Sequence, residues 1–276
     1  MKKFLALIVS VLMVGAVCVS STACGEDAGD GIVVGGSSSI SPLMEVLVEN
    51  FVAANPEYDG KITQTTNDSG TGIAQAKSGA YAIGMASKAV SDDALDSTVI
   101  CMDGIALVVG KDTELDNVTK AQITGLYLEG KAIGTITKAI TREAGSGTRD
   151  AFDKVMGFSG DDNDWSSDKI VSISQNTGAV ISGVEGKTDV IGYASLGSAD
   201  KNIADGKNIK KVKYEGIEAT EATVLDGTYG ISRPFTLVTK KGAELPQIAK
   251  DLLAFIASDA GRAIIAEEGY VNLPKA

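Results

Sequence analysis

Histidine occurs nowhere in the 276 residues. Its absence removes the commonest general base and metal ligand, so histidine-based triads and His-ligated zinc sites are excluded. Cysteine is scarce too, with Cys18, Cys24 and Cys101 the whole supply. If Cys18 leaves with a signal and Cys24 carries a lipid, Cys101 stands alone, no intrachain disulfide forms, and stability rests on an apolar core that a chain of this length can bury. Cys101, beside Met102 in an apolar stretch, reads as a small buried residue rather than a nucleophile. Long apolar runs are confined to Phe4–Val19, short of the about 20 residues of a spanning helix. Positive charge is the minority, 25 Lys and Arg against 36 Asp and Glu, for a net −11. That field disfavours nucleic acid and acidic membranes as partners. It also repels a free anion at long range, so an anion site here must work through short-range dipoles and hydrogen bonds inside a cleft.

Lys2 and Lys3 precede the apolar run, and small residues then lead to Ala23-Cys24-Gly25. This matches a secretory signal ending at a lipoprotein cleavage site, although Ser21 stands where an aliphatic residue is usual. The expectation is a signal over residues 1–23 and lipidation of Cys24, anchoring the protein at the extracytoplasmic face of the cell membrane. An ordinary signal peptide or an uncleaved anchor is the alternative. Loss of Lys2 and Lys3 would take the charge to −13. Residues 24–31, polar and rich in Gly and Asp, suit a short tether.

From Ile32 onward, strand and helix patterns alternate. Ile32–Val34 reads as a buried strand, and Leu43, Val46, Leu47 and Phe51 recur at helical spacing up to Asn55-Pro56. Lys61–Thr65 and Tyr81–Met85 read as strands around a short helix from Ile73 to Lys77, and Ile105–Val109 is a further apolar strand. A second series runs through Val118–Leu126, Ala139–Thr141, a helix over Thr148–Met156, Asn176-Thr177-Gly178, a helix over Val180–Val184 and a strand over Asp189–Tyr193. Phe235–Thr239 reads as a strand, and Gln247–Glu268 carries helical spacing broken near Ser258 and Gly261. Such alternation predicts a mostly parallel α/β sheet with ligands at the strands' carboxyl ends, here in two lobes.

The most informative stretch is Thr141-Arg142-Glu143-Ala144-Gly145-Ser146-Gly147-Thr148-Arg149-Asp150. An arginine stands beside a Gly/Ser/Thr turn that opens a helix, where outward N–H groups, hydroxyls and a guanidinium can seat a tetrahedral oxyanion. Gly35-Gly36-Ser37-Ser38-Ser39-Ile40-Ser41-Pro42 and Asn67-Asp68-Ser69-Gly70-Thr71-Gly72 repeat the device, and three such loops suggest one shared ligand. Each alone is also what a plain N-cap and turn require. Arg142 has a salt bridge to Glu143 or another carboxylate as its bland reading, and Arg149 reads as an exposed or lobe-bridging charge. Ser166-Ser167-Asp168-Lys169 lacks the partner motifs of serine acyl enzymes. Asp161-Asp162-Asn163-Asp164 lacks the glycine and glutamate of a calcium loop, and Trp165 reads as packing.

With these motifs, Ile83-Gly84-Met85-Ala86-Ser87 and Arg233-Pro234-Phe235, the chain resembles the phosphate-binding lipoproteins that feed phosphate ABC importers in Gram-positive bacteria. The likeness runs from about Ile32 to the C-terminus. It implies a two-lobed, type II periplasmic-binding-protein-like α/β fold, each lobe a central sheet flanked by helices, the two joined by crossover strands. Lobe I would comprise residues 32–104 and 236–276, lobe II residues 105–235. Carried over by position, Ser38, Ser39, Ile40, Ser69, Ser87, Lys88, Arg142, Ser146, Gly147 and Thr148 would form the phosphate site. Lys88 departs from the family, whose better-known members place there an aspartate that accepts the proton of hydrogen phosphate. Lys88 then either attracts the dianion or is a solvated cation, and the acceptor must be another group, such as Asp68 or a backbone carbonyl. The region between Gly130 and Ala139 is also shorter than usual and lacks the customary tryptophan.

The resemblance implies a non-enzymatic binding protein that takes inorganic phosphate to an ABC permease, with no cofactor, no metal and no nucleic acid. The rivals are a binder of another oxyanion such as sulfate, which Lys88 keeps open, an extracellular phosphoester hydrolase using Ser146, and a surface adhesion module.

Overall fold

The computed structural model describes residues 31–160, 165–167 and 169–274. The signal, Cys24 and most of the tether lie outside them, as do Asp161–Asp164 and Asp168. Within them the alternation of strand and helix holds. In chain order come β1 (Ile32–Ser37), α1 (Ser41–Ala54), β2 (Ile62–Asn67), α2 (Ser69–Ser78), β3 (Ile83–Ala86), β4 (Leu95–Gly110), β5 (Asn117–Val118), α3 (Lys120–Glu129), β6 (Lys138–Arg142) and α4 (Gly147–Met156). Then follow β7 (Val171–Ser174), α5 (Thr177–Val184), β8 (Val190–Ser195), α6 (Leu196–Ala204), β9 (Ile209–Tyr214), α7 (Glu221–Leu225), β10 (Ser232–Lys240), α8 (Gln247–Ala257) and α9 (Asp259–Glu267).

The main sheet runs β2-β1-β3-β10-β4-β8-β6-β7. β1, β2 and β3 are parallel, as are β6, β7 and β8, while β10 and β4 cross the middle antiparallel to their neighbours. Two apolar cores form on this frame. Val34, Leu43, Leu47, Phe51, Met85, Phe235 and Leu252 belong to the first. The second gathers Leu107, Leu126, Tyr127, Phe152, Val180, Ile191 and Tyr193. β4 serves both: its first part pairs with β10 from Leu95 to Gly104, and its last residues pair with β8 and β9. It is therefore a single strand of 16 residues where periodicity predicts only Ile105–Val109.

Three glycines of the first half are there for packing rather than for a ligand. Gly36 takes φ +134°, and a Cβ there would lie 2.3 Å from the Met85 carbonyl; one on Gly72 would lie 2.5 Å from the same oxygen, and one on Gly84 2.3 Å from the Gly72 carbonyl. Only bare Cα atoms let α2 lie this close on β1 and β3, which brings its N-terminus beside the end of β1.

Where the two central strands cross, Arg233 and Asp103 are register partners, joined through Arg233 Nη2 and Asp103 Oδ2 at 3.0 Å with both side chains buried. Ser195 Oγ donates to Asp103 Oδ1 at 3.1 Å. Burial pushes the Asp103 carboxyl up to about 6, against the pull of Arg233 and of hydrogen bonds from Ser195 and the Gly197 and Leu196 backbone. Arg233→Met leaves that carboxylate buried without a counter-charge, and is expected to cost about 3–5 kcal/mol in urea unfolding at pH 7. Because the folded state holds this proton more tightly than the unfolded chain, the Asp103 contribution is largest at low pH and is lost as pH rises through about 6. The Arg233→Met deficit should accordingly narrow between pH 7 and pH 5, and adding Asp103→Leu should restore most of it.

Candidate functional site

Five loops at the carboxyl ends of parallel strands meet between the two cores: those after β1, β2 and β3 from the first half, and those after β6 and β7 from the second. Capping explains their local form. Asp68 caps α2 by accepting the Thr71 N–H at 2.8 Å, Ser146 caps α4 by accepting the Arg149 N–H at 3.4 Å, and Asn176 caps α5 by accepting the Ala179 N–H at 2.8 Å. The plain N-cap reading thus holds for the Asp68 and Ser146 loops, though not for the loop before α1, where Ile40 offers no side-chain cap, and it accounts only for the capping residues. The hydroxyls just beyond each cap, Ser69, Thr148 and Thr177, face the other half.

There they form one buried cluster. Ser39 Oγ lies 2.8 Å from Thr148 Oγ1 and 3.1 Å from Thr177 Oγ1. Ser38 Oγ accepts the Thr177 N–H at 3.2 Å. Ser69 Oγ accepts the Gly147 N–H at 3.3 Å and the Ser87 N–H at 3.0 Å, and lies 3.2 Å from Ser87 Oγ. Nearby, the Gly70 N–H donates to the Gly145 carbonyl at 3.1 Å, and Gly145 takes φ +86°, a conformation that bulkier residues resist.

Arg142 stands at the centre, 1% exposed. Its Nε and Nη2 donate to Glu143 at 2.7 and 2.6 Å, while Nη1 donates to Thr177 Oγ1 at 3.0 Å and Nη2 also to Ser38 Oγ at 3.1 Å. The salt bridge to Glu143 and a place in the cluster are therefore not alternatives, because a guanidinium carries five donors and the carboxylate takes one edge. Tyr193 holds the backbone beneath, its hydroxyl accepting the Arg142 N–H at 3.1 Å and contacting Thr141 Oγ1 at 2.8 Å.

Other sequence-predicted residues fall elsewhere. The Ile40 N–H is taken by the Ser37 carbonyl at 3.0 Å, and its side chain is fully buried in the first core. Ser146 Oγ is spent on its cap. The Lys88 ammonium reaches Asp150 of α4 at 2.6 Å instead of the hydroxyls. Asp68 is engaged by Thr71 through both carboxylate oxygens. Burial would raise its pKa, but the Thr71 hydrogen bonds hold it below the usual carboxylate value. Arg149 is neither exposed nor lobe-bridging: it is 3% exposed, pairs with Asp153, donates to the Arg142 carbonyl and lies over Trp165. Trp165 packs against Tyr127 and Phe158, and Cys101 is buried in the first core. Thr177 is the residue that sequence reasoning did not assign to the site. Its signal was present, since Asn176-Thr177-Gly178 repeats the cap, hydroxyl and glycine order of the other loops.

A family profile described as PBP superfamily domain matches residues 21–260. A Clostridium perfringens protein described as a phosphate ABC transporter substrate-binding protein, solved with bound phosphate, is 32% identical with a TM-score of 0.79, over 88% of this chain and 100% of that one. The chain belongs to the PBP superfamily. Phosphate-binding protein PstS 2 of Streptococcus pneumoniae is 36% identical over 144 residues, 51% of this chain. That match spans 46% of the relative's length, about half of it. Phosphate-binding protein PstS of Staphylococcus saprophyticus is 28% identical over 96% of this chain and 87% of its own. The curled mixed sheet, the crossing pair β4 and β10, and the loops meeting between two cores are the PBP architecture.

Gly147 marks how closely the halves of this PBP fold approach. A Cβ there would lie 2.7 Å from Ser69 Oγ and 2.8 Å from the Ser87 carbonyl. Gly147→Ala is expected to keep α4, to overpack the contact by about 1–3 kcal/mol, and to part the halves. Small-angle scattering would read this as a larger radius of gyration with unchanged circular dichroism.

Proposed function

We propose that this chain captures inorganic phosphate between its two lobes and hands it to an ABC permease at the extracytoplasmic face of the membrane, held there by a lipid on Cys24. The observation that carries the reading is the convergence of Arg142, the Gly147 N–H, Thr148 and Thr177 from one half with Ser38, Ser39 and Ser69 from the other within hydrogen-bond distance. The names of the relatives supply the anion. Lobe I is taken as residues 32–104 and 236–276 and lobe II as 105–235; most buried apolar residues of each part share one core, with Phe235 in the first and Val271 in the second crossing that division.

Only closure lets both sets of donors reach one oxyanion, so binding favours the closed form, which a permease can recognise. The ligand-contacting set is Ser38, Ser39, Ser69, Ser87, Arg142, Gly147 and Thr148, with Thr177 added. Ile40 and Ser146 position these loops. Covalent chemistry plays no part: Ser146 Oγ serves α4, and the chain has no histidine to act as base. Asp68 is spent on its own helix, so the proton of hydrogen phosphate falls to a neutral acceptor. The Ser87 carbonyl beside Gly147 is the best placed. That keeps a second reading, capture of sulfate, open to the same experiment.

Calorimetric titration with phosphate, sulfate and arsenate across pH tests the reading. Each charge-assisted hydrogen bond contributes about 1.5–3 kcal/mol, enough together for micromolar affinity, on the order of 8 kcal/mol. Phosphate should bind at least this tightly and keep binding as the dianion forms, and sulfate binding of equal strength would overturn the assignment. Arg142→Ala should weaken phosphate roughly 10- to 150-fold, more than Ser39→Ala or Thr177→Val.

A further inference from the structure

The Lys88 ammonium makes its ion pair with Asp150 Oδ2, at 2.6 Å, rather than with any member of the hydroxyl cluster. The two residues come from opposite halves. Lys88 follows β3, and its carbonyl accepts the Thr236 hydroxyl of β10 at 2.8 Å, which fixes the backbone from which the side chain extends. Asp150 lies in the first turn of α4, where its charge suits the helix dipole whatever its partner. The pair therefore exists only while the halves are together.

We infer that Lys88–Asp150 is a latch across the cleft, which stabilises the closed form and slows anion release without taking part in choosing the anion. The inference rests on the reading of the cleft as a phosphate trap. A contact made in one state and absent from the other shifts the equilibrium between them by its own free energy. With side chains 31% and 48% exposed, this pair is screened by water and salt, so its effect is an adjustment of about two- to fivefold.

The sign of one variant separates a latch from simple charge attraction. Removing the Asp150 carboxylate beside an anion site should tighten anion binding if only the local field mattered, whereas loss of a latch should loosen it. The test measures phosphate affinity and release rate for the full protein, Lys88→Met, Asp150→Asn and the double variant, at low and high salt. Expected are a two- to fivefold weaker affinity and faster release in each single variant, a double variant no worse than either, fading of all differences at high salt, and an unchanged ratio of phosphate to sulfate affinity. Tighter binding by Asp150→Asn, additive single effects, or a changed anion ratio in Lys88→Met would overturn the latch. If the unaltered protein binds no phosphate, the phosphate reading falls by itself. The latch is then judged by scattering without ligand, where a larger radius for Lys88→Met supports it and an unchanged radius overturns it.

Discussion

The buried guanidinium of Arg142 is the interaction on which the arrangement of the cleft depends. A charge taken out of water is tolerated only when paired and fully hydrogen-bonded. Glu143 supplies the pairing along one edge, leaving the other edge for Thr177 and Ser38. Every neighbour then has a fixed task. Tyr193 fixes the strand end that carries Arg142, Arg149 binds the Arg142 carbonyl, and the loop after β1 is drawn across from the opposite half. Within the second half, Glu143 and Tyr193 thus hold Arg142 and its strand end in place by contacts that do not cross the cleft, which would limit the ordering cost of binding.

Around this centre, capping and contact with the opposite half are divided between adjacent residues. Asp68, Ser146 and Asn176 each satisfy an amide of their own helix, and so fix where the following hydroxyl points. A loop without the cap would leave Ser69 or Thr148 free to turn elsewhere. The first loop is the exception: α1 begins at Ile40 with no side-chain cap, its turn closed instead by the Ser37 carbonyl and by burial of Ile40 in the core.

That division explains what the sequence revealed. Strand, Ser/Gly turn and helix were legible at Arg142–Thr148 and at Asp68–Gly72 because cap chemistry and apolar periodicity change over within a few residues. The break at Ser258 likewise separates α8 from α9. β4 was read only in its second part, since the first alternates poorly, with four consecutive exposed residues before Ile100. β9 was hidden because Lys210 and Lys211 interrupt its period-two pattern although Ile209, Val212 and Tyr214 are buried. Arg149 misled for a different reason: a charged residue one turn into a helix normally faces water, but here Asp153 and Trp165 cover it. Lys88 could not be placed from sequence at all, because its partner is 62 residues away in the other half.

Two kinds of electrostatics therefore meet in one cleft. In the cluster, Arg142 and Glu143 are formally neutral together, so on the proposed reading an entering anion would be held by hydroxyl and amide dipoles at contact range, where salt screens little. This suits a chain of net charge −11, whose long-range field opposes anions of any kind and can be overcome only by short-range donors. Lys88–Asp150 lies outside that shell, half-exposed and open to salt. Had the lysine turned inward, it would have strengthened attraction for every dianion alike. Turned outward, in the proposed latch it would leave the choice of anion to the hydroxyl cluster, so that selectivity and closure could vary separately within one fold.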